Sequence, residues 1–213
     1  MAVRQQTDRS LWHEVAEYDL RTVAHDNGSL NGTHQGLGGV DAAFFNSSGG
    51  LRDGKGTLYE GGIRSPGIVR WKGKVKPGST SKAITGFEDW MPTLLELCGV
   101  KDKTPAGIDG ASFAAVLRGE ASNGREFLYR EFPSYGGQQC VRLGKWKYIR
   151  TGLSGGKAKK AAKTSEELYD LENDPAETTN VLAQHPEVVA QVKAIAAREH
   201  QNSADFKFPA LDQ

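Results

Sequence analysis

Residues 51–66 read Leu51-Arg52-Asp53-Gly54-Lys55-Gly56-Thr57-Leu58-Tyr59-Glu60-Gly61-Gly62-Ile63-Arg64-Ser65-Pro66. The stretch holds four glycines, and its lysine, Lys55, stands between two of them. Glycine reaches positive φ and lets a backbone or a ligand approach closely. The pattern therefore predicts an ammonium group displayed beside a glycine-lined floor where a small anion can bind. The alternative interpretation is an ordinary solvated loop.

The same stretch resembles the second signature of the type I, formylglycine-dependent sulfatases of the alkaline-phosphatase-like superfamily. That pattern, Arg-x-Gly-Lys-Gly-x-x-x-Glu-Gly-Gly-x-Arg-x-Pro, is met at every specified position from Arg52 to Pro66. The resemblance implies an α/β fold, the C-terminal part of an alkaline-phosphatase-like domain, and an arylsulfatase-like hydrolase of sulfuric esters. It also implies that Lys55 binds the sulfate and acts in catalysis as a point charge on its oxygens.

The composition is that of an ordinary folded protein. The chain has 213 residues, of which 38% are hydrophobic and 25% charged, enough for one large domain or two small ones. The net charge of +1 gives no reason to expect nucleic acid or a membrane surface as a partner. No run approaches the roughly 18 apolar residues that span a bilayer, and the N-terminus lacks the apolar segment of a signal peptide.

The two cysteines, Cys98 and Cys140, are too few for a disulfide framework and fit no metal-ligand spacing. They allow one bridge, but two separate buried thiols are the preferred interpretation.

Strands are predicted in the first part of the chain at residues 20–25, 67–71 and 83–87. The clearest helix runs from Asp89, a candidate N-cap, to Gly99, which suits a C-terminal stop. A second, short helix is predicted from Ser112 to Leu117. The apolar residues of the long helix recur at helical spacing and are predicted to lie in the core: Met91, Leu94, Leu95 and Cys98.

From Glu126 onward, clusters of β-forming residues alternate with glycine turns. Four strands are predicted at 126–132, 139–143, 146–150 and 167–171, followed by a helix at 186–200. Antiparallel strands with a helix on one face make a small α+β unit. The chain is therefore divided into 1–122, the C-terminal part of a catalytic domain, and 123–213, an antiparallel-sheet subdomain with a packed helix.

This second part also resembles the sulfatases. Their small C-terminal sheet carries a Gly-Lys-Trp-Lys-Tyr-Ile strand, found here at residues 144–149, and a Leu-Tyr-Asp-Leu-x-x-Asp-Pro-x-Glu-x-x-Asn run, found at 168–180. The resemblance thus covers about residues 20–200. Between these motifs, residues 154–163 form a basic segment without interleaved aromatic residues, so an exposed loop is favoured over a nucleic-acid patch.

Asp26 and Asn27 precede Gly28, and by themselves they are typical of a turn. Their side-chain oxygens are also the hard ligands that Ca²⁺ prefers. The resemblance to the sulfatase Thr-Ser-Asp-Asn-Gly motif implies that both residues ligate an active-site calcium ion. His34 is a weaker candidate for a substrate contact and is otherwise a solvated side chain. Glu60 and Arg64 are interpreted as a charge pair that holds their loop.

Three features of the family pattern are missing from this sequence. There is no Cys/Ser-x-Pro-x-Arg motif, from which the formylglycine nucleophile is made, no early Asp-Asp pair and no Gly-Lys-Trp-His-Leu-Gly motif. We therefore expect a truncated, C-terminal portion of a sulfatase, inactive alone, with formylglycine in the missing N-terminal part.

The resemblance implies a sulfated small molecule or a sulfated glycan as the substrate. It also implies a periplasmic, extracellular or lysosomal location, because the family's members are exported. Two alternatives remain open. One is a non-catalytic remnant that binds anions or carbohydrates, and the other is a relative of the phosphodiesterases and phosphatases. The sequence gives no oligomeric state.

Overall fold

The computed structural model describes residues 20–24, 46, 48–122, 124–153, 164–205 and 207–212. Along them run β1 (Leu20–Ala24), α1 (Glu60–Ile63), β2 (Gly67–Trp71), α2 (Trp90–Leu97), α3 (Ala114–Leu117), β3 (Phe127–Phe132), β4 (Gln138–Leu143), β5 (Trp146–Thr151), β6 (Ser165–Asp170) and α4 (Pro186–Glu199). Short 3-10 helices occupy Phe87–Asp89, Lys101–Lys103 and Leu182–Gln184.

The described residues fall into two compact units. The first unit comprises those of 1–24 and 66–125, and the second comprises those of 25–65 and 126–213. The glycine-rich stretch therefore packs with the later sheet. The division of the chain into 1–122 and 123–213 stays a prediction. The basic segment 154–163 lies outside the described residues.

A four-stranded antiparallel sheet in the order β3-β4-β5-β6 organises the second unit. Val141 of β4 pairs with Tyr148 of β5, and Tyr148 in turn pairs with Leu168 of β6. Gly144, with φ of +54°, makes the tight turn between β4 and β5. The predicted antiparallel sheet is confirmed. Its last strand begins at Ser165, two residues before the predicted start.

Helix α4 covers one face of this sheet, as predicted. Pro186 opens the helix at its first turn, where the missing N–H costs nothing. The core between helix and sheet is apolar and consists of Val141, Tyr148, Leu168, Val188, Val192, Ile195 and Ala196. Each large side chain buried there contributes about 1.5–3 kcal/mol.

The opposite face of the sheet is covered by the glycine-rich stretch. Successive strand residues point to opposite faces, so Cys140 and Ile149 face away from α4. Leu58 and Tyr59 pack onto that face and complete a second core. The sheet is thus buried on both sides, by a helix on one face and by the motif on the other.

In the first unit, β1 pairs antiparallel with β2, from Leu20 opposite Trp71 to Ala24 opposite Gly67. The strand predicted at 83–87 is wrong. Ile84 forms a single parallel bridge with Gly124, and a 3-10 turn begins at Phe87.

Helix α2 is confirmed, but its predicted core face is wrong. Met91 is 50% exposed, Leu94 is 39% exposed and Cys98 is exposed, whereas Thr93 is fully buried. The reason is a polar anchor. Asp89 accepts hydrogen bonds from the Gly86 and Ala111 amides (2.6 and 2.7 Å) instead of capping α2. The Thr93 hydroxyl donates to the Asp89 carbonyl and accepts from the Phe113 amide. These bonds draw the polar side of the helix inward.

Both cysteines are free thiols, which confirms that they are separate. Cys140 is buried on β4, and burial raises the pKa of its thiol to about 11. Cys98 is exposed, so the prediction that both thiols are buried is wrong. Among the described residues, no helix is long and apolar enough to cross a bilayer.

Candidate functional site

Helix α1 is pressed against the backbone of the loop that precedes it. The Gly61 amide donates a hydrogen bond of 2.8 Å to the Arg52 carbonyl. A Cβ on Gly61 would lie 2.3 Å from the Asp53 carbonyl oxygen, and one on Gly62 would lie 2.2 Å from that of Thr57. No side chain fits at these distances. The paired glycines are therefore required for the close approach of helix and loop.

The loop itself turns through two residues in the left-handed region. Asp53 has φ of +58° and Gly56 has φ of +95°. The Gly54 carbonyl accepts hydrogen bonds from both the amide and the hydroxyl of Thr57, which close the turn. Lys55 stands at its tip.

The side chain of Gln138, the first residue of β4, fastens this turn to the sheet. Its Oε1 accepts from the Leu58 amide (3.0 Å), and its Nε2 donates to the Gly56 carbonyl (3.1 Å). Gln138 is buried, and its bond with the Leu58 amide is shielded from water. The backbone on the C-terminal side of Lys55 is thereby held in one conformation.

Lys55 is exposed, in contrast to the residues that hold its loop. Within the described part of the chain, its ammonium group has no hydrogen-bond or ion-pair partner. An unpaired cation on a fixed backbone can bind an anion without first breaking an internal ion pair.

Arg52 anchors the other end of the loop. Its guanidinium carbon lies 3.8 Å from the centre of the Tyr59 ring, and Nη1 donates to the Tyr169 hydroxyl at 2.6 Å. The same nitrogen lies 3.4 Å from Glu167 Oε2 and 3.1 Å from the Glu177 carbonyl. One side chain thus connects the loop to β6 and to the turn that follows it.

Two tyrosines complete this anchor by donating to one carboxylate. The Tyr59 and Tyr169 hydroxyls lie 2.8 and 2.7 Å from Glu167 Oε2. Burial raises the pKa of both tyrosines well above the usual range, and Glu167 adds to the increase. Both hydroxyls therefore stay protonated and keep donating near neutral pH.

A buried lysine lies beneath α1. Lys147 Nζ is 3.0 Å from Glu60 Oε1 and 2.9 Å from Glu177 Oε1, and its side chain is fully inaccessible. The contact with Glu60 is a hydrogen-bonded ion pair, whereas the contact with Glu177 has the distance of an ion pair without hydrogen-bond angles. Burial raises the pKa of Glu177, against the opposing effect of Lys147.

The structure places some of the predicted site residues and leaves others untested. Lys55 lies on the exposed loop tip, whereas Asp26, Asn27 and His34 lie outside the described residues. In the part of the chain that the structure describes, no group of three or more His, Cys, Asp or Glu side chains is placed to hold a metal ion. The predicted Glu60–Arg64 pair is present at 3.7 Å.

Sequence reasoning missed the groups that hold the loop: Arg52, Gln138, Lys147, Glu167, Tyr169 and Glu177. Most of their contacts join residues 80 or more positions apart, which no local pattern reveals. For Lys147 the sequence held one usable indication of burial. Alternation along the strand places it on the same face as Ile149, which is buried.

Comparisons with known proteins agree on one family. A family profile described as N-sulphoglucosamine sulphohydrolase, C-terminal, matches residues 50–202. The chain is 34% identical to arylsulfatase A of Homo sapiens over 181 residues, which is 76% of this chain and 35% of that protein. The chain spans about a third of the length of the curated relatives it matches.

Solved structures give the same result. One, from work on glycosaminoglycan metabolism by Bacteroides thetaiotaomicron, matches with a TM-score of 0.66 and 29% identity, covering 85% of this chain and 38% of that one. Another, in complex with its substrate D-glucosamine-2-N,6-O-disulfate, matches with a TM-score of 0.56 and 26% identity, covering 67% and 29%. The predicted fold class is confirmed.

Proposed function

Because this chain belongs to the sulfatases, in the family described as N-sulphoglucosamine sulphohydrolase, C-terminal, we propose that it forms the sulfate-binding, C-terminal part of an enzyme that hydrolyses sulfuric esters. The observation that carries the proposal is the contrast between Lys55 and its surroundings. The loop is fixed by Arg52 and Gln138, while Lys55 is exposed and unpaired among the described residues. Such a cation stabilises the negative oxygens of a sulfate group.

Lys55 acts electrostatically in this proposal. Its ammonium group pairs with the negatively charged non-bridging sulfate oxygens when the ester binds, and it stays paired with them in the transition state. A preorganised charge costs little reorganisation at that moment, which is why the fixed loop matters. Substitution of Lys55 should therefore lower the sulfate affinity of this chain and the turnover of a complete enzyme that contains it.

We further propose that Asp26 and Asn27 contribute ligands to a calcium ion. A carboxylate and an amide oxygen are suitable donors for Ca²⁺, so the residue types fit. A bound calcium ion supplies positive charge that polarises a coordinated oxygen. The chain's own contribution is to present those two oxygen donors and, through Lys55, a second positive charge.

The chain has no Cys/Ser-x-Pro-x-Arg motif, so the formylglycine nucleophile must come from sequence outside these 213 residues. We therefore propose that this chain alone does not turn over sulfate esters. A sulfated glycan is the proposed substrate class, since one similar protein was solved with a disulfated glucosamine as its substrate. A substrate contact by His34 and an exported location also stay proposals.

Titration of the 213-residue chain with inorganic sulfate, followed by NMR, tests the role of Lys55. The Lys55→Ala variant should lose most of the sulfate response. Lys207→Ala, which removes another exposed lysine of the second unit, should keep it. Sulfate binding that is equal in both variants would refute the proposal. So would hydrolysis of an aryl sulfate by this chain alone at the rate of a complete sulfatase.

A non-catalytic anion-binding protein is the second candidate, favoured by the same exposed lysine in a sequence without the nucleophile motif. Calcium separates the two. The sulfatase proposal expects Ca²⁺ to tighten sulfate binding in the wild-type chain and to have no such effect after Asp26→Ala. The alternative expects binding that depends on Lys55 and is indifferent to calcium. Preference for inorganic phosphate over sulfate would instead favour the phosphatase relatives.

A further inference from the structure

We propose that Lys147 is a positioning residue for Lys55: the buried ion cluster Lys147–Glu60–Glu177 fixes α1 and, through it, the loop that displays Lys55. The inference rests on the proposed sulfate-binding role of Lys55. It assigns a function to a lysine that is fully inaccessible and cannot touch a ligand itself.

The cluster is held together by its charge balance. Lys147 lies between two carboxylates that are themselves buried, with side-chain exposures of 6% for Glu60 and 0% for Glu177. Two arginines, Arg64 and Arg142, approach Glu60 Oε2 at 3.7 Å from the more exposed side. Without the lysine, two buried carboxylates would face each other with no cation between them, and removing one partner of a buried pair is strongly unfavourable.

The cluster is joined directly to the backbone of α1. Glu177 Oε2 accepts a hydrogen bond of 2.6 Å from the amide of Glu60, the first residue of that helix. Glu177 has φ of +54°, a left-handed conformation that is uncommon for a residue with a side chain. Such strain persists where surrounding contacts over-determine it, and it often marks a functional constraint. The two oxygens of Glu177 thus connect Lys147 to the start of α1.

From α1 the constraint reaches the loop through backbone contacts. Gly61 donates to the Arg52 carbonyl, and Gly62 lies so close to the Gly54 and Thr57 carbonyls that no Cβ fits between them. The nearest atoms at both contacts are backbone carbonyl oxygens, which cannot swing aside as the end of a flexible side chain can. A shift of α1 therefore moves the turn that carries Lys55.

The second anchor of the loop depends on the ion cluster only in part. Arg52 donates to the Glu177 carbonyl, but its other contacts, to Tyr59, Tyr169 and Glu167, involve no member of the cluster. Loss of Lys147 should therefore loosen the α1 side of the loop and leave the Arg52 side attached. This selective loosening distinguishes positioning from a general loss of stability.

Hydrogen exchange of individual amides in the 213-residue chain tests the first step. Lys147→Met keeps the length of the side chain and removes its charge. We expect the Gly61 amide to exchange about tenfold faster in this variant, beyond any increase shared with the amides of the central strands β4 and β5, which report the loss of overall stability. Lys145→Met is the matched control, since Lys145 lies in the same hairpin but pairs with Asp170 at the surface. It should leave Gly61 exchange as in the wild type.

Glu177→Gln is a second variant, which should destabilise the fold less than Lys147→Met does. It keeps an acceptor for the Glu60 amide and leaves a one-to-one Lys147–Glu60 pair. We expect faster Gly61 exchange in the same direction but smaller, about two- to fivefold. Wild-type Gly61 exchange in Glu177→Gln, or in a folded Lys147→Met, overturns the inference.

Titration with inorganic sulfate tests the second step. Lys147→Met should weaken sulfate affinity by about three- to tenfold, and it should not change the residual affinity of Lys55→Ala. An equal loss in the Lys55→Ala background would mean that Lys147 acts elsewhere, which overturns the inference. If sulfate binding does not depend on Lys55 at all, the proposed function is refuted. The exchange rate of the Gly61 amide still decides whether Lys147 positions the loop.

Discussion

Arg52 lies over the ring of Tyr59, with 3.8 Å between its guanidinium carbon and the ring centre. The two residues come from the same motif, seven positions apart, and both are bound to Glu167 on β6. The cation and the ring therefore hold two ends of one loop together on one strand of the sheet. The arginine of the motif, Arg52, thus has a structural role beside Lys55, the lysine that we propose binds sulfate.

Arg52→Lys tests this task because it keeps the charge but loses the planar, multiply bonded guanidinium. We expect the free energy of unfolding to fall by about 2 kcal/mol, from lost charged hydrogen bonds and cation–π contact. Chemical denaturation measures it. Arg198→Lys is the matched control, since Arg198 also lies over a ring, that of Phe127, but is 63% exposed. Equal effects for both variants would contradict the assignment.

Gly61→Ala should be far more damaging than its chemistry suggests, because the new methyl group would overlap two backbone carbonyls. Overpacking of this kind costs about 1–3 kcal/mol or more. Gly67→Ala is the control, since nothing lies within 4 Å of a Cβ there. Thermal unfolding of the two variants compares them. A Gly61→Ala protein as stable as Gly67→Ala would mean that the loop and helix do not make this close contact.

His200 should make stability depend on pH. Its ring lies 2.6 Å from Glu131 and 3.2 Å from Asp212. Burial lowers the pKa of His200, but the hydrogen bond and charge of Glu131, with Asn202 and Asp212, outweigh burial and raise it. Because the folded-state pKa is raised, the stabilisation is complete below the unfolded value of about 6.5 and is lost as pH rises through the folded-state value.

Urea denaturation over a pH series checks the sign. In the wild-type chain, the free energy of unfolding should fall as pH rises through the folded-state pKa of His200. This fall should be absent from His200→Gln. Glu131→Gln should also reduce this pH dependence of stability, because the His200 ring is still present but has lost its main charged partner. If the pH profile of His200→Gln matched that of the wild type, the assignment to His200 would be wrong.

Asp89→Ala should destabilise the first unit. It would leave the amides of Gly86 and Ala111 without their acceptor, and it would remove the ion pair between the buried Asp89 carboxylate and Arg125 at 3.2 Å. We expect a loss of about 3 kcal/mol. Asp102→Ala is the control, because that carboxylate is 69% exposed and its loss should cost at most about 0.5 kcal/mol. Circular dichroism during denaturation measures both variants.

The sequence predicted the later sheet well because its signals are local. Clusters of β-forming residues between glycines specify hairpins whose partners are close in the chain. Helix α2 shows the limit of such patterns. The spacing of Met91, Leu94 and Cys98 correctly indicates that one face is apolar, but periodicity does not say what covers a face, and these side chains are exposed. Asp89 and Thr93 orient the helix instead.

For the candidate site, the sequence indicated Lys55 but not what holds it. Lys147 and Glu60 are 87 positions apart, and their pairing depends on how the motif lies across the sheet. No periodicity encodes such a contact. The sequence predicts that these glycines let a backbone or a ligand approach closely, and the distances show which one: Gly61 and Gly62 lie against backbone carbonyls of the preceding loop.

Because Cys98 is exposed and Cys140 is buried, the two thiols should react with a modifying reagent at different rates. A thiol-specific reagent should modify exposed Cys98 at once, whereas Cys140, packed with Leu58, Tyr59 and Ile149, becomes reactive only when that layer opens. The delay between the two modifications therefore reports how often the glycine-rich stretch separates from the sheet, and its measurement requires no introduced label. Lys147→Met should shorten the delay, and an anion that settles on Lys55 should lengthen it.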